Sequence, residues 1–297
     1  QVNIDPYALT TTYDQRYGYP YSTAGGFSLG NQHVSPSLKP ELTSTLEGGF
    51  DIDLKKYSAS IGLTVYQSRT KDQTLPISVS SATGFNAYLT NVGEVENKGL
   101  ETYIRATPIE TSFGLSVTVG ANYSYNRNKV LSLSDQSDLL VLPNPGVNPA
   151  SARIVAKVGS PFPMLQVSKY NRTPDGKVIV DANTGFPATD GSFHDVGITT
   201  APHIVGVNAE IKFKGVRVAA VAEYRTCHFI YNAVTVPFDF SGAGIRTTWY
   251  NRERFVFPNS AYQDPENPGQ YVDNTNVTTA TGGADFWSDG SRNTGIG

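Results

Sequence analysis

The chain has 297 residues, a net charge of −3 and 16% charged residues, well below the share of about 25% usual in soluble domains. This balance gives no basic footprint for nucleic acid. One cysteine excludes an intrachain disulfide, and no apolar run approaches the roughly 20 residues of a membrane helix. The 17 Tyr, 14 Phe and 28 Gly lean to β structure. A membrane barrel stays open, because alternating strands keep mean hydropathy low. The chain begins at Gln1 and its one methionine is Met164, so a processed chain or a piece of a longer one is expected.

Period-two alternation marks six strands in chain order. In 46–54, Leu46, Phe50, Ile52 and Leu54 oppose Glu47, Asp51 and Asp53. In 57–67, Tyr57, Ala59, Ile61, Leu63 and Val65 oppose Ser58, Ser60, Gly62 and Thr64. Segment 100–107 sets Leu100, Ile104 and Ala106 against Glu101 and Arg105. The cleanest is 113–125, where one face holds Phe113, Leu115, Val117, Val119, Ala121, Tyr123 and Tyr125 and the other nothing apolar larger than glycine. Segment 203–213 places Val205, Val207, Ala209, Ile211 and Phe213 opposite Asn208, Glu210 and Lys212. Segment 216–225 turns Val218, Ala220, Ala222 and Tyr224 away from Arg217, Glu223 and Arg225. A helix, at 3.6 residues per turn, would mix these faces.

Lys55-Lys56, Pro108 to Ser112 and Lys214-Gly215 join the strands in pairs, whereas 68–99, 126–202 and 226–297 are long connections. Short turns at one end and long loops at the other are the pattern of an outer-membrane barrel. A strand of about 11 residues, tilted by roughly 40°, rises close to 28 Å and matches an apolar band about 25 Å tall. Tyr57, Phe113 and Phe213 fall near the short turns, and Tyr123, Tyr125 and Tyr224 near the long loops, where interfacial rings belong. The expected fold is therefore all-β, part of a large antiparallel transmembrane β-barrel with long extracellular loops. A soluble or surface-attached carbohydrate-binding β-sandwich alternates in the same way and is the alternative; it would bury the apolar faces of two sheets against each other.

Five ordered stretches carry a resemblance to a family. They are Leu38-Lys39-Pro40-Glu41, Thr90-Asn91-Val92-Gly93-Glu94-Val95-Glu96-Asn97-Lys98-Gly99-Leu100-Glu101, Asn126-Arg127-Asn128-Lys129-Val130, Val158-Gly159-Ser160-Pro161-Phe162 and Asp175-Gly176-Lys177-Val178-Ile179-Val180-Asp181. Together the region from about 30 to 226 resembles the carboxy-terminal barrel of SusC/RagA-type TonB-dependent importers. The resemblance implies a barrel of about 22 strands, plugged in its lumen. It also implies an outer-membrane location, a plug and TonB box outside this sequence, a SusD-like surface lipoprotein as lid, and uptake of oligosaccharide or peptide driven through TonB. Covalent chemistry is not expected of such a chain.

The Asn-Lys-Gly step at 97–99 reads as structural, with Gly99 permitting an unusual backbone where a loop becomes a strand. Polar-face residues such as Asp51, Asp53, Glu101, Arg105, Glu210 and Glu223 face the lumen and pair with a plug or with one another. The connection 226–297 is rich in aromatics interleaved with charge; such rings stack on sugars or extended peptides, or else form the loop's own small core. Trp249, Tyr250, Arg252 and Trp287 are the candidate substrate-binding residues. His33, His194, His203 and His228 have no zinc spacing. Asp181, Asn183, Thr184 and Asp190 make an oxygen-rich loop that is either a calcium site or an Asx-rich turn, without EF-hand spacing. No catalytic, cofactor or metal site is expected, since nucleophile-elbow, P-loop and dinucleotide fingerprints are lacking.

Overall fold

The computed structural model describes residues 13–15, 19–20, 22–133, 137–143 and 151–288. These fall into two compact units, one drawn from 1–143, 155–164 and 197–229, the other from 144–154, 165–196 and 230–297. The strands β1 (Tyr13–Gln15), β2 (Phe27–Leu29) and β3 (Gln32–Val34) are short, and β4 (Leu42–Leu54) and β5 (Ala59–Lys71) are the first long pair. After β6 (Thr74–Ser78) and β7 (Ala87–Asn91) comes the second, β8 (Glu94–Glu110) and β9 (Leu115–Ser132). The strands β10 (Leu139–Val141), β11 (Ala152–Lys157), β12 (Met164–Tyr170), β13 (Val178–Val180) and β14 (Thr189–Ile198) lead to the third, β15 (His203–Phe213) and β16 (Val216–Thr226). Helix α1 (Thr235–Phe240), β17 (Ser260–Gln263), β18 (Tyr271–Asp273) and helix α2 (Gly283–Trp287) complete the described chain.

The first unit is built on a six-stranded antiparallel sheet in the order β16-β15-β9-β8-β5-β4. Its register aligns the apolar residues of all six strands on one face. Ile52 pairs with Ile61, Ile61 with Ile104, Ile104 with Ala121, Ala121 with Val207 and Val207 with Ala222. One step along, on the opposite face, the row is Asp51, Gly62, Tyr103, Asn122, Gly206 and Glu223. Cross-strand partners share a face, so a one-residue slip anywhere would set charge in the apolar stripe.

That stripe is uncovered: Ile52 is 46% exposed, Ile104 49% and Val207 47%. A β-sandwich would bury these side chains against a second sheet, so the exposure is evidence against the alternative fold. The sheet does not close within these residues; β4 and β16 are its two edges.

The strands are longer than the alternation suggests, and all but one of the added stretches lie at the long-connection end. There β4 starts at Leu42, β5 runs to Lys71, β8 starts at Glu94 and β9 reaches Ser132. At the other end β8 continues to Glu110, through a bulge after Ala106, so its turn is Thr111 to Gly114 and not Pro108 to Ser112. The first turn is a single 3-10 turn over Lys55–Tyr57 closed by left-handed Ser58. The third places Lys214 at φ 43° and Gly215 at φ 89°, the mirror-image geometry that follows strand twist.

Gly99 has a different role from the one its sequence setting suggests. It lies inside β8 with no left-handed backbone, and a Cβ there would come within 2.3 Å of the Tyr66 ring. The glycine makes room for that ring, whose hydroxyl donates to Asn126 Oδ1 at 3.3 Å.

The family-like stretches prove to be clamps between segments. Asn91 accepts from the Lys39 amide at 2.6 Å and donates to the carbonyls of Lys39 and Asp72 at 2.8 and 2.7 Å. The Glu41 carboxylate accepts from the Thr74 amide at 2.8 Å. Asn128 accepts from the Phe162 amide at 2.8 Å and donates to the Phe162 carbonyl, while the Val130 amide donates to the Ser160 carbonyl and the Val130 carbonyl accepts from the Gly159 amide, both at 2.9 Å. Side chains that satisfy otherwise unpaired loop backbone fix where a long connection leaves its strand. Leu75, Leu89, Val92, Val95 and Val130 are buried at this end.

Candidate functional site

In the second unit, α1 leads into a 3-10 stretch, Ile245–Arg252. It breaks at Trp249, after which Tyr250, Asn251 and Arg252 adopt φ of 55°, 55° and 62°. Three successive left-handed residues, none of them glycine, cost roughly 1–2 kcal/mol each unless their surroundings hold them. What holds them is the Gly282-Gly283 step that opens α2. A Cβ on Gly282 would meet the Glu253 carbonyl oxygen at 2.1 Å, and one on Gly283 would meet Arg252 Cβ at 2.8 Å. Only glycine lets the two backbones approach so closely.

The turn presents aromatic rings on a small core. Phe255, Phe286 and Trp287 are buried together, with Phe186 and Phe257 packed against them. Tyr250 stacks on Phe255 with centroids 4.2 Å apart, and Trp249 meets Trp287 edge to face at 6.1 Å. The Arg246 guanidinium lies 4.8 Å from the Trp287 ring and is ion-paired with buried Asp239. Tyr170 is buried too, and burial pushes its hydroxyl up to about 12 against the opposing pull of Arg246.

The four candidate substrate residues thus separate by exposure. Trp249 is 50% exposed and Tyr250 48%, and Arg252 is exposed with no ion-pair partner among the described residues. Trp287, at 8%, is part of the core beneath. Two half-exposed rings beside a free guanidinium can stack on a planar or ring-shaped ligand while hydrogen-bonding its polar edge. Residues 289–297 of this connection lie outside the described residues.

The oxygen-rich loop closes on itself. Asp181 Oδ1 accepts from the amides of Thr184 at 2.7 Å and Asn183 at 2.9 Å and from the Thr184 hydroxyl, which together hold the carboxyl below its ordinary value. This is an Asx turn. Asp190 is bonded to His194, the largest cause of its own lowered value. No group of three or more His, Cys, Asp or Glu is placed to hold a metal ion among the described residues. His203 lies in the first unit between Tyr125 and Tyr123, its Nδ1 2.8 Å from the Tyr123 hydroxyl oxygen.

On the sheet's polar face, the Tyr103 hydroxyl donates to Asp51 at 3.0 Å, Lys212 pairs with Glu210 at 2.6 Å, and Arg225 with Glu223 at 2.6 Å. These residues pair with one another within the sheet. Sequence reading missed the clamp residues Asn91, Glu41 and Asn128 as structural contacts, although all three stand inside the family-like stretches.

Comparisons with known proteins fit this architecture. The family model described as TonB dependent receptor-like, beta-barrel matches residues 6–200. TonB-dependent receptor P39 of Formosa agariphila is 34% identical over 122 residues, which is 40% of this chain and 11% of that protein. TonB-dependent receptor SusC of Bacteroides thetaiotaomicron is 25% identical over 217 residues, covering 70% of this chain and 21% of SusC. A solved structure of the RagAB peptide transporter superposes with a TM-score of 0.57 at 20% identity, over 80% of this chain and 26% of that one. The chain thus spans between a tenth and about a quarter of the length of these relatives. With its open, one-face-apolar sheet and a family match over most of its length, the chain belongs to the TonB-dependent receptor-like β-barrel family of the bacterial outer membrane.

Proposed function

We propose that this chain supplies barrel wall and outer-loop structure to a TonB-dependent importer that takes up oligosaccharide or peptide with a SusD-like lipoprotein partner. The observation that carries this reading is the six-stranded register, which turns a continuous apolar face outward and a polar, self-paired face the other way. Such a wall suits a water-filled or plugged lumen. Relatives matched here are named TonB-dependent receptors, and one solved neighbour is named a peptide transporter.

Within this reading Trp249 and Tyr250 stack on substrate, Arg252 engages its polar groups, and Trp287 supports the turn from below. None of these residues performs covalent chemistry. TonB acts on a plug that would be supplied by sequence outside this chain, and lipid meets the apolar stripe.

Uptake of labelled oligosaccharides and peptides by cells carrying the full-length receptor tests the proposal. Uptake should require TonB and fall at least tenfold in a W249A/Y250A variant that still assembles in the outer membrane. Uptake that persists without TonB would overturn the import mechanism, and unchanged uptake in the variant would overturn the placement of the substrate.

A further inference from the structure

We propose that the outward face of the sheet carries a binding site for a phosphate-bearing lipid headgroup, centred on Arg127 and Lys129 and flanked by Lys98. Above the isoleucine row lie Leu63, Thr102, Tyr123, Val205 and Tyr224, and above those Val65, Leu100, Tyr125 and His203. This band of tyrosine and histidine rings ends the apolar stripe, as rings with one apolar and one polar end do at a membrane interface.

The strands continue past it on the same face. The next row is Leu46, Gln67, Lys98 and Arg127; the one after is Ser44, Arg69, Glu96 and Lys129. Each row adds two residues, about 5 Å of height for a strand tilted by roughly 40°. The two rows therefore sit about 5 and 10 Å beyond the ring band. The headgroup layer is some 5–8 Å deep on each side of the hydrocarbon.

Charge on these rows is unbalanced. Arg69 pairs with Glu94 at 3.1 Å, and Lys98 with Glu96 at 3.0 Å. Arg127 and Lys129 are exposed and have no ion-pair partner among the described residues. Across these rows and the next, the five cations Arg69, Lys71, Lys98, Arg127 and Lys129 meet the two anions Glu94 and Glu96. The exposed Arg127 guanidinium at headgroup depth and the Lys129 ammonium at the layer's outer margin, two residues apart on β9 and directly above lipid-facing rings, suit a phosphomonoester, which accepts bidentate and point-charge contacts at once. A soluble protein partner would have to enter the bilayer surface to reach them. A lipid is already there.

This inference rests on the membrane-facing assignment of the sheet and is independent of what the receptor imports. The test uses the full-length receptor in detergent, titrated with bisphosphorylated lipid A and with its dephosphorylated form, with bound lipids counted by native mass spectrometry. The phosphorylated form should bind at least tenfold more tightly, and K98Q/R127Q/K129Q should lose that preference. R127K, which keeps the charge but loses the bidentate contact, should keep part of it, and K55Q/K56Q at the opposite end of the sheet should keep it whole. Millimolar inorganic phosphate should not compete, since the lipid chains place the group. Heat-modifiable gel mobility reports barrel folding in each variant; if the triple variant fails to fold, R127E alone decides and should bind at least tenfold more weakly. Equal binding of the two lipid forms, undiminished binding in the charge-loss variants, equal loss in K55Q/K56Q or displacement by free phosphate would each overturn the proposal.

Discussion

At the scale of single residues, buried support and exposed contact separate cleanly in the aromatic loop. Trp287 and Trp249 touch edge to face, but only Trp249 offers a free ring. Replacing Trp287 with alanine removes a core ring and should destabilise the second unit by about 3–5 kcal/mol, seen as faster proteolysis within 230–288. Trp249→Ala should leave proteolysis unchanged and lower substrate affinity. Tyr170 supplies a pH signature. Its folded value is raised to about 12 by burial, above the ordinary 10. The stability it lends is full below about pH 10, where the phenol is neutral in both states, and is lost as pH rises toward 12 because the unfolded chain ionises first. The loss is on the order of 2 kcal/mol. Comparing alkaline unfolding of the wild type with Tyr170→Phe isolates it; the difference between the two should change with pH only across that window.

Between elements, the clamp residues set where strands end. Asn128→Ala removes two bonds to the Phe162 backbone and leaves its amide and carbonyl without their side-chain partner. The expected cost is about 2–4 kcal/mol, measurable as loss of hydrogen-exchange protection at Phe162 while Ile104 in β8 keeps its own. On the outward face, Ile104→Arg should lower barrel stability in lipid by roughly 2–4 kcal/mol, whereas Ser124→Arg on the polar face should cost far less; urea titration in vesicles measures both. The six strands were legible because one side is apolar and the other polar. Their upper ends were not: beyond Tyr125 the outward face turns to Arg127 and Lys129 and the inward face to buried Val130, so the alternation inverts. Short strands such as β10 and β13, three residues each, hold too few side chains to show any period. The aromatic loop could be recognised by composition, but not which rings face solvent. A left-handed turn at Tyr250-Asn251-Arg252 contains no glycine, and its support comes from Gly282-Gly283, thirty residues further along the chain.

For the molecule as a whole, direction is decisive: one face of the six-stranded sheet meets lipid and the other meets water or protein in the lumen. The edges β4 and β16 have backbone groups available for further strands, and a solved structure of a chain several times longer superposes over 80% of this one. The unpaired edges also make the isolated segment prone to associate edge to edge, so direction is best measured in the full-length receptor. Spin labels placed singly at Ile52, Ile104 and Val207, and at Asp51, Tyr103 and Asn122, can be read in bilayers for collision with oxygen and with a water-soluble nickel complex. With the apolar face toward lipid, high oxygen and low nickel access are expected at the first three sites, and no such oxygen preference at the second three. Low access to both reagents at Ile52, Ile104 and Val207 would mean that this face is buried against protein, and would contradict that orientation.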